Sequence, residues 1–176
     1  MSTKKRPQQN KGKPKFEEEK ITTAAFVLCH PFDSTLSPIS KEFPPCLFPL
    51  CNIPVLFYNL HWLHTNGIEK IYIVCQDSHE KIIQKYIKEW QETITVKSIE
   101  ILPVSKRNYQ INSIGDSIRW IHSSSSIVLN FQNCVIIPGT LVTNVPLKQI
   151  LSQHEKRVKK PNKGKGKPVL TTIFTQ

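Results

Sequence analysis

Short apolar runs alternate with helical patterns along most of this chain, and this alternation constrains the fold more than any other feature. Each run is too short for a buried helix and suits a strand that is buried on both faces. The predicted strands are Thr22–Cys29, Lys70–Cys75, Val96–Leu102, Ile127–Phe131 and Val169–Phe174.

The segments between these strands have the apolar spacing and end signals of helices. Residues 55–66 form one such segment, and Gly67 follows as a stop signal. Asp77 and Glu80 suggest a capping box for a second helix, and Ser113 with Asp116 suggests a cap for a third.

A fourth helix is predicted from Pro146 to about Lys156, because proline is favoured at the first helical position. Strands alternating with helices form right-handed crossovers. The sequence therefore predicts an α/β fold with a doubly wound, mainly parallel, Rossmann-like sheet over residues 21–176. A last strand that stops at Gln176 suggests that the sheet is incomplete at its C-terminal end and the chain truncated.

A proline-rich loop from His30 to Pro54 follows the first predicted strand. Its six prolines exclude a helix and most strand pairing. Ligands of doubly wound folds bind at the carboxyl ends of the strands. This loop is therefore where a nucleotide is expected.

The net charge of +11 is concentrated at the two ends of the chain. Residues 1–20 carry +4 and are expected to be a disordered basic tail, and residues 148–176 carry +7. Residues 156–168 are expected to form a lysine-rich surface loop. Two interpretations stay open: weak, non-specific binding of RNA phosphates, or solvated charge.

No apolar run approaches the roughly 20 residues of a membrane span, and the N-terminus has no apolar core of a secretory signal. Five cysteines without CxxC spacing indicate free thiols in a reducing compartment. Cys29, Cys75 and Cys134 lie in apolar runs and are expected to be buried. His61 and His64 lack further ligands for zinc, so no metal site is expected.

Several short segments carry a resemblance to a known family. They are Phe32-Asp33, Pro38-Ile39-Ser40-Lys41, Pro44, Pro49-Leu50, Asn52 and Ser113-Ile114-Gly115-Asp116-Ser117-Ile118-Arg119. In order and spacing they resemble the sugar-nucleotide pyrophosphorylase (nucleotidyltransferase) fold. The resemblance is closer to the N-terminal domain of epsilon subunits of translation initiation factor 2B, and it spans roughly residues 21–176.

The resemblance also shows where this chain departs from active nucleotidyltransferases. These have a loop of the form G-x-G-T-R-L-x-P-L-T, then P-K, for the triphosphate, and a Gly-Asp pair after the fourth strand for Mg²⁺. The matching positions here are Pro31, Asp33, Thr35, Pro45, Gln132 and Asn133. Proline offers no N–H donor, and an amide is a poor ligand for Mg²⁺. The resemblance therefore implies a degenerate site with no catalytic residue, metal or cofactor.

By this resemblance the chain is a non-catalytic structural and interaction domain in an exchange factor for initiation factor 2. The implied partners are a gamma-like subunit, other initiation factor 2B subunits and initiation factor 2, in the cytoplasm. Exchange activity in the family resides in a C-terminal helical domain that these residues do not include. Two alternatives stay open: an active sugar-phosphate nucleotidyltransferase, and a basic RNA-binding protein.

Gly115 and Asp116 have two interpretations. They are either the remnant of a nucleotide-base contact or a helix cap with a carboxylate in the first turn. Arg119 is expected to pair either with a partner subunit or with Asp116 on its own helix.

Overall fold

The computed structural model describes residues 23–30, 36–90, 98–105, 111–124, 131, 133–159 and 170–172. In chain order the strands are β1 (Thr23–Leu28), β2 (Pro49–Leu50), β3 (Ile53–Pro54), β4 (Lys70–Gln76), β5 (Ser98–Val104) and β6 (Asn133–Pro138). Four of them form a parallel sheet in the order β5-β4-β1-β6, and β2 and β3 form a small hairpin. The predicted parallel α/β fold is confirmed.

The helices are α1 (Ile39–Glu42), α2 (Val55–Thr65), α3 (Glu80–Trp90), α4 (Ile114–Ser123) and α5 (Leu147–Lys159). The prediction of no helix in the proline-rich loop is wrong for α1, a single turn that begins directly after Pro38. Gly67 ends the turn after α2 with a φ of +85°, a conformation that glycine adopts without strain. Asp77 does not cap α3; it begins a 3-10 turn and accepts a hydrogen bond from the Ser78 N–H.

Helices pack on both faces of the sheet, because neighbouring strand residues point to opposite sides. Val27 and Ile73 lie in one core cluster together with residues of α2, α3 and α5. Phe26 and Tyr72 lie in the other with Ile121 of α4, and their rings stack at 4.9 Å. Each such buried side chain contributes about 1.5–3 kcal/mol through burial, so these two clusters hold the doubly wound arrangement together.

The edge strand β6 differs from the prediction. The sequence predicts a strand at Ile127–Phe131, but residues 127–130 lie outside the described residues and Phe131 is not in a strand. The strand beside β1 is Asn133–Pro138, with Thr23 opposite Asn133 and Leu28 opposite Pro138. Its apolar run is only four residues long, and pairing with β1 makes it a strand.

The C-terminal region also needs corrections. Helix α5 continues to Lys159, so residues 156–159 of the predicted lysine-rich loop are helical, and the rest of that loop lies outside the described residues. Residues 170–172, the described part of the predicted last strand, are not in a strand. The predicted basic tail, residues 1–20, is likewise outside the described part.

All five cysteines are free thiols, as predicted. Cys29 and Cys75 are buried, but Cys134 is exposed, because it lies on the edge strand of the described sheet. Among the described residues, no helix is long and apolar enough to cross a membrane. No group of three or more His, Cys, Asp or Glu side chains in that part of the chain could hold a metal ion.

Candidate functional site

The sheet has a topological switch point between β1 and β6. From β1 the chain crosses to β4 and then β5 on one side, and it returns to β6 on the other side. In doubly wound sheets the ligand crevice lies at the carboxyl ends of the strands at this point. The crevice residues here are Cys29 and His30 after β1, and Gly139 and Thr140 after β6.

Gly139 fits the floor of this crevice because it has no side chain. Its N–H donates to the Leu28 carbonyl at 2.8 Å, which extends the pairing of β1 and β6 by one bond. A Cβ at this position would lie 2.8 Å from Cys29 Sγ, 3.0 Å from Cys46 Cβ and 3.1 Å from the Leu28 oxygen. Any larger residue would therefore displace the thiol or the backbone.

Three buried thiols, those of Cys29, Cys46 and Cys75, belong to one core cluster, and the first two lie against Gly139. A hydrogen bond with Cys46, together with burial, raises the pKa of Cys29 well above its ordinary value. Burial raises the pKa of Cys75 to about 12. A thiol acts as a nucleophile or metal ligand only as a thiolate, so at neutral pH Cys29 and Cys75 are inert packing groups.

Side chains of α2 hold the segment that follows β6. Asn59, buried, donates from Nδ2 to the Gly139 carbonyl at 2.9 Å. One turn later, Trp62 donates from Nε1 to the Val145 carbonyl at 2.9 Å. At the end of the helix, Asn66 Oδ1 accepts a bond from the Lys148 N–H at 3.4 Å. Asn59 and Trp62, three residues apart, lie on one face of α2, and Asn66 is the C-cap of this helix.

A second set of contacts fixes the neighbouring edge of the crevice. Gln76, at the end of β4, donates from Nε2 to His30 Nε2 at 3.1 Å. Its Oε1 accepts a bond from Ser78 Oγ at 3.4 Å. The described residues that follow β1, β4 and β6 directly, namely Cys29, His30, Asp77, Ser78, Gly139 and Thr140, include no Lys or Arg that could neutralise a triphosphate.

The positions at which the sequence departs from active nucleotidyltransferases lie in three parts of the chain. Pro45 is buried and opens the 3-10 turn Pro45–Leu47, whose residues all belong to the interior. Asn133 is not at the carboxyl edge: it is the first residue of β6, at the opposite end of the sheet, and its Nδ2 donates to Glu155 at 3.3 Å. Pro31, Asp33, Thr35 and Gln132 lie outside the described residues.

The prediction that Asn133 belongs to this crevice is therefore wrong, because Asn133 begins its strand. The residues that follow β6 are Gly139 and Thr140, which the sequence reasoning missed. The sequence signal that could have indicated them is a glycine that follows the short apolar run Cys134–Ile137 and Pro138.

The family-signature residues of the proline-rich loop act mainly through their backbone. Pro38 precedes α1, where Ile39 is exposed and Ser40 is buried. The Lys41 carbonyl lies 3.2 Å from Nε2 of the buried His79, which ties α1 to the turn before α3. Pro49 begins the β2–β3 hairpin. Phe32 lies outside the described residues.

At the start of α4, Ser113 is the N-cap, and its Oγ accepts a bond from the Asp116 N–H at 3.1 Å. Asp116 Oδ2 accepts bonds from Ser113 Oγ at 2.8 Å and the Asn112 N–H at 3.2 Å, and Arg119 donates to its Oδ1 at 2.7 Å. The Ser113 hydroxyl, the Asn112 N–H and Arg119 hold the pKa of Asp116 below its usual range. The capping interpretation is confirmed for Asp116, and Arg119 pairs within its own helix.

The crevice thus has a floor of neutral thiols and glycine, with amide and hydroxyl groups around it. Among the described residues at these strand ends, hydrogen-bonding groups prevail, and Asp77 is the charged one.

Comparison with known proteins identifies two relatives, from different species, that have the same name. Translation initiation factor eIF2B subunit epsilon of Schizosaccharomyces pombe is 29% identical over 143 residues, which are 81% of this chain and 20% of that protein. The protein of the same name in Dictyostelium discoideum is 30% identical over 135 residues, which are 76% of this chain and 18% of that one. The chain spans about a fifth of the length of these relatives.

Solved structures share the fold at low sequence identity. The complex of UDP-glucose pyrophosphorylase with UDP-glucose has a TM-score of 0.58 and 17% identity, covering 78% of this chain and 54% of that one. A structure assigned as a glucose-1-phosphate thymidylyltransferase from Bacillus anthracis has a TM-score of 0.59 and 14% identity, covering 77% and 51%. The family model described as nucleotidyl transferase matches residues 33–165. This chain therefore belongs to the nucleotidyl transferase family.

Proposed function

We propose that this chain is a catalytically silent nucleotidyltransferase-like domain of an initiation factor 2B epsilon-like subunit. It serves as a structural and interaction module in a cytosolic exchange factor for initiation factor 2. Two curated relatives that bear the epsilon-subunit name, each matching over three quarters or more of this chain, support the assignment.

The proposed lack of catalytic activity rests mainly on one observation, the residue pair Gly139-Thr140 that follows β6. The resemblance puts a Gly-Asp pair, which holds Mg²⁺, after the fourth strand, and β6 is the fourth strand of the parallel sheet in chain order. This chain keeps the glycine, which packs against Cys29 at the switch point, and has a threonine in place of the carboxylate. A neutral hydroxyl is a weak ligand for Mg²⁺ compared with a carboxylate.

Other positions support the same proposal. Pro45, where the active family has a lysine, is buried and opens a turn whose Cys46 belongs to the core. By the sequence resemblance, Pro31, Asp33 and Thr35 replace the glycines and arginine of the phosphate loop. Together these changes remove the groups that would neutralise the charge of a bound nucleoside triphosphate.

The proposed partners are a gamma-like subunit, other initiation factor 2B subunits and initiation factor 2. The test is affinity purification of the tagged, full-length endogenous protein, followed by mass spectrometry. We expect gamma-like and other initiation factor 2B subunits in stoichiometric amounts. Their absence from a preparation that contains intact tagged protein would contradict the proposed assembly.

An active sugar-phosphate nucleotidyltransferase is the second candidate, and the fold shared with UDP-glucose pyrophosphorylase favours it. The test is pyrophosphate release from each Mg–NTP with a panel of sugar 1-phosphates. We expect no release above a no-enzyme control. Mg²⁺-dependent turnover with any of these substrate pairs would instead establish this enzyme and overturn the silent-site proposal.

A third candidate function is RNA binding by the basic residues near the C-terminus. Exposed cations at the end of α5 are the observation that supports it.

A further inference from the structure

Acidic residues almost disappear from the last third of this chain. After Asp116 the sequence contains nine Lys or Arg residues and one acidic residue, Glu155. Arg119 is neutralised by its ion pair with Asp116. The remaining charge is therefore positive and lies in and after α5.

The C-terminal turn of α5 presents three of these cations to solvent. Lys156, Arg157 and Lys159 are exposed, and within the described residues none of them forms an ion pair. Glu155 is half-buried and accepts a hydrogen bond from Asn133 at 3.3 Å, so it is directed toward β6. The helix dipole favours cations at this end of the helix, but it leaves their outward faces available.

A described residue beyond α5 contacts this helix again. Lys159 is the last residue of α5, and Thr171, twelve positions later by residue number, contacts the helix. Its Oγ1 lies 2.9 Å from Nδ1 of His154, less than two turns before the end of α5. Thr171, and with it the exposed Leu170, therefore lies beside the basic end of α5.

We propose that Lys156, Arg157 and Lys159 form a binding surface for the phosphate backbone of RNA. The choice of RNA rests on the proposed function, since a translation factor works among RNA molecules. Binding is independent of base sequence, because α5 carries no Phe, Tyr or Trp on which a base could stack. It depends strongly on salt, because its free energy comes from release of counterions.

An anionic membrane is the competing partner for such a surface. Membrane binding by a basic helix requires an apolar face that enters the lipid. The three cations are accompanied on α5 by the exposed polar residues Ser152 and Gln153, which argues against a membrane. The exposed Leu170 nearby is the reason to include vesicles in the test.

The test measures binding of the full chain to a fluorescent 20-nucleotide polyuridine RNA by anisotropy, between about 50 and 200 mM KCl. The affected variant carries Lys156→Gln, Arg157→Gln and Lys159→Gln. The control carries Lys81→Gln, Lys85→Gln and Lys88→Gln, which remove the same charge from exposed positions of α3. Thermal melts of both variants establish that they are folded.

We expect the wild-type affinity to fall steeply with salt. The logarithm of the association constant should fall with the logarithm of the salt concentration, with a slope of about 0.7 for each phosphate contacted. The α5 variant should reduce this slope by about 2 and weaken binding at least fivefold, while the α3 control retains the wild-type slope.

Equal losses in both variants would mean that net charge alone attracts RNA and would overturn the proposal. Absence of RNA binding, or tighter binding to phosphatidylserine vesicles than to RNA, would also overturn it. The co-purification experiment has a separate readout, so failure of the proposed subunit assignment is distinguishable from failure of this surface.

Discussion

Strands β4 and β6 are both parallel neighbours of β1, but they differ in how deeply they are buried. Every residue of β4 after Lys70 is buried, whereas in β6 only Ile137 is. In the described sheet β4 lies between two strands, and β6 lies at an edge. One neighbour of β1 is thus held by the core on both faces, and the other by its pairing and a few local contacts.

This difference in burial indicates which contacts determine the shape of the crevice. The switch point lies between the deeply buried β1 and the half-exposed β6, so the core alone does not position Gly139. Two specific contacts do so: the bond to the Leu28 carbonyl and the bond from Asn59. Stability should therefore depend mainly on β4, and crevice geometry on the contacts of β6 and α2.

The largest expected effect comes from truncating matched isoleucines on the two strands. Ile73→Ala in β4 should lower the free energy of unfolding by about 3–4 kcal/mol, because the side chain is fully buried. Ile136→Ala in β6 should cost about 1–2 kcal/mol, because that side chain is half-buried. Urea denaturation measures both, and equal losses would contradict the contrast between the strands.

Gly139→Ala is the next test, because its Cβ would meet a thiol and backbone rather than open space. We expect a loss of about 1–3 kcal/mol from this overpacking. Gly115→Ala is the control, since its Cβ would have no neighbour closer than 3.6 Å and alanine favours the helix. Thermal unfolding should show a lower Tm for the first variant and an unchanged or higher Tm for the second.

Asn59→Ala tests the link from α2 to the crevice floor. It leaves the Gly139 carbonyl without its buried donor, which should cost about 1–2 kcal/mol. Asn66→Ala removes contacts that lie nearer the surface and should cost less than about 1 kcal/mol. If the Asn66 variant were the less stable of the two by urea denaturation, α2 would not position the crevice as described.

The smallest expected effect concerns the cap of α4. Asp116 has a lowered pKa in the folded state, so it contributes stability above its unfolded value near 3.8. That contribution is lost as the pH falls through the lowered folded pKa. Asp116→Asn should therefore lower Tm slightly at pH 7 and leave it unchanged well below pH 3. A Tm difference independent of pH would mean that the carboxylate charge does not support the cap.

The sequence predicted the parts of the fold that depend on local patterns. Strand β4 is a continuous apolar run, and α2 ends where Gly67 follows it. The cap of α4 was predictable because Ser113 and Asp116 lie three positions apart. Strand β6 was not, because its short apolar run is bounded by polar Asn133 and by Pro138 and becomes a strand through pairing with a distant segment.

The candidate site was predictable in place but not in all its residues. Parallel strands and the proline-rich loop after β1 indicated the carboxyl edge of the sheet. The misplaced fourth strand led to Asn133 instead of Thr140. The bond between Asn59 and Gly139 joins residues 80 positions apart, and no local pattern indicates such a contact.

The most direct test of the silent crevice is a calorimetric titration of the full chain with Mg–UTP, Mg–GTP and Mg–ATP. The account predicts no saturable binding up to about 100 μM, which corresponds to less than about 5.5 kcal/mol of binding free energy. Saturable binding below that concentration, lost in Gly139→Ala, would contradict it, because a nucleotide would then occupy the switch point.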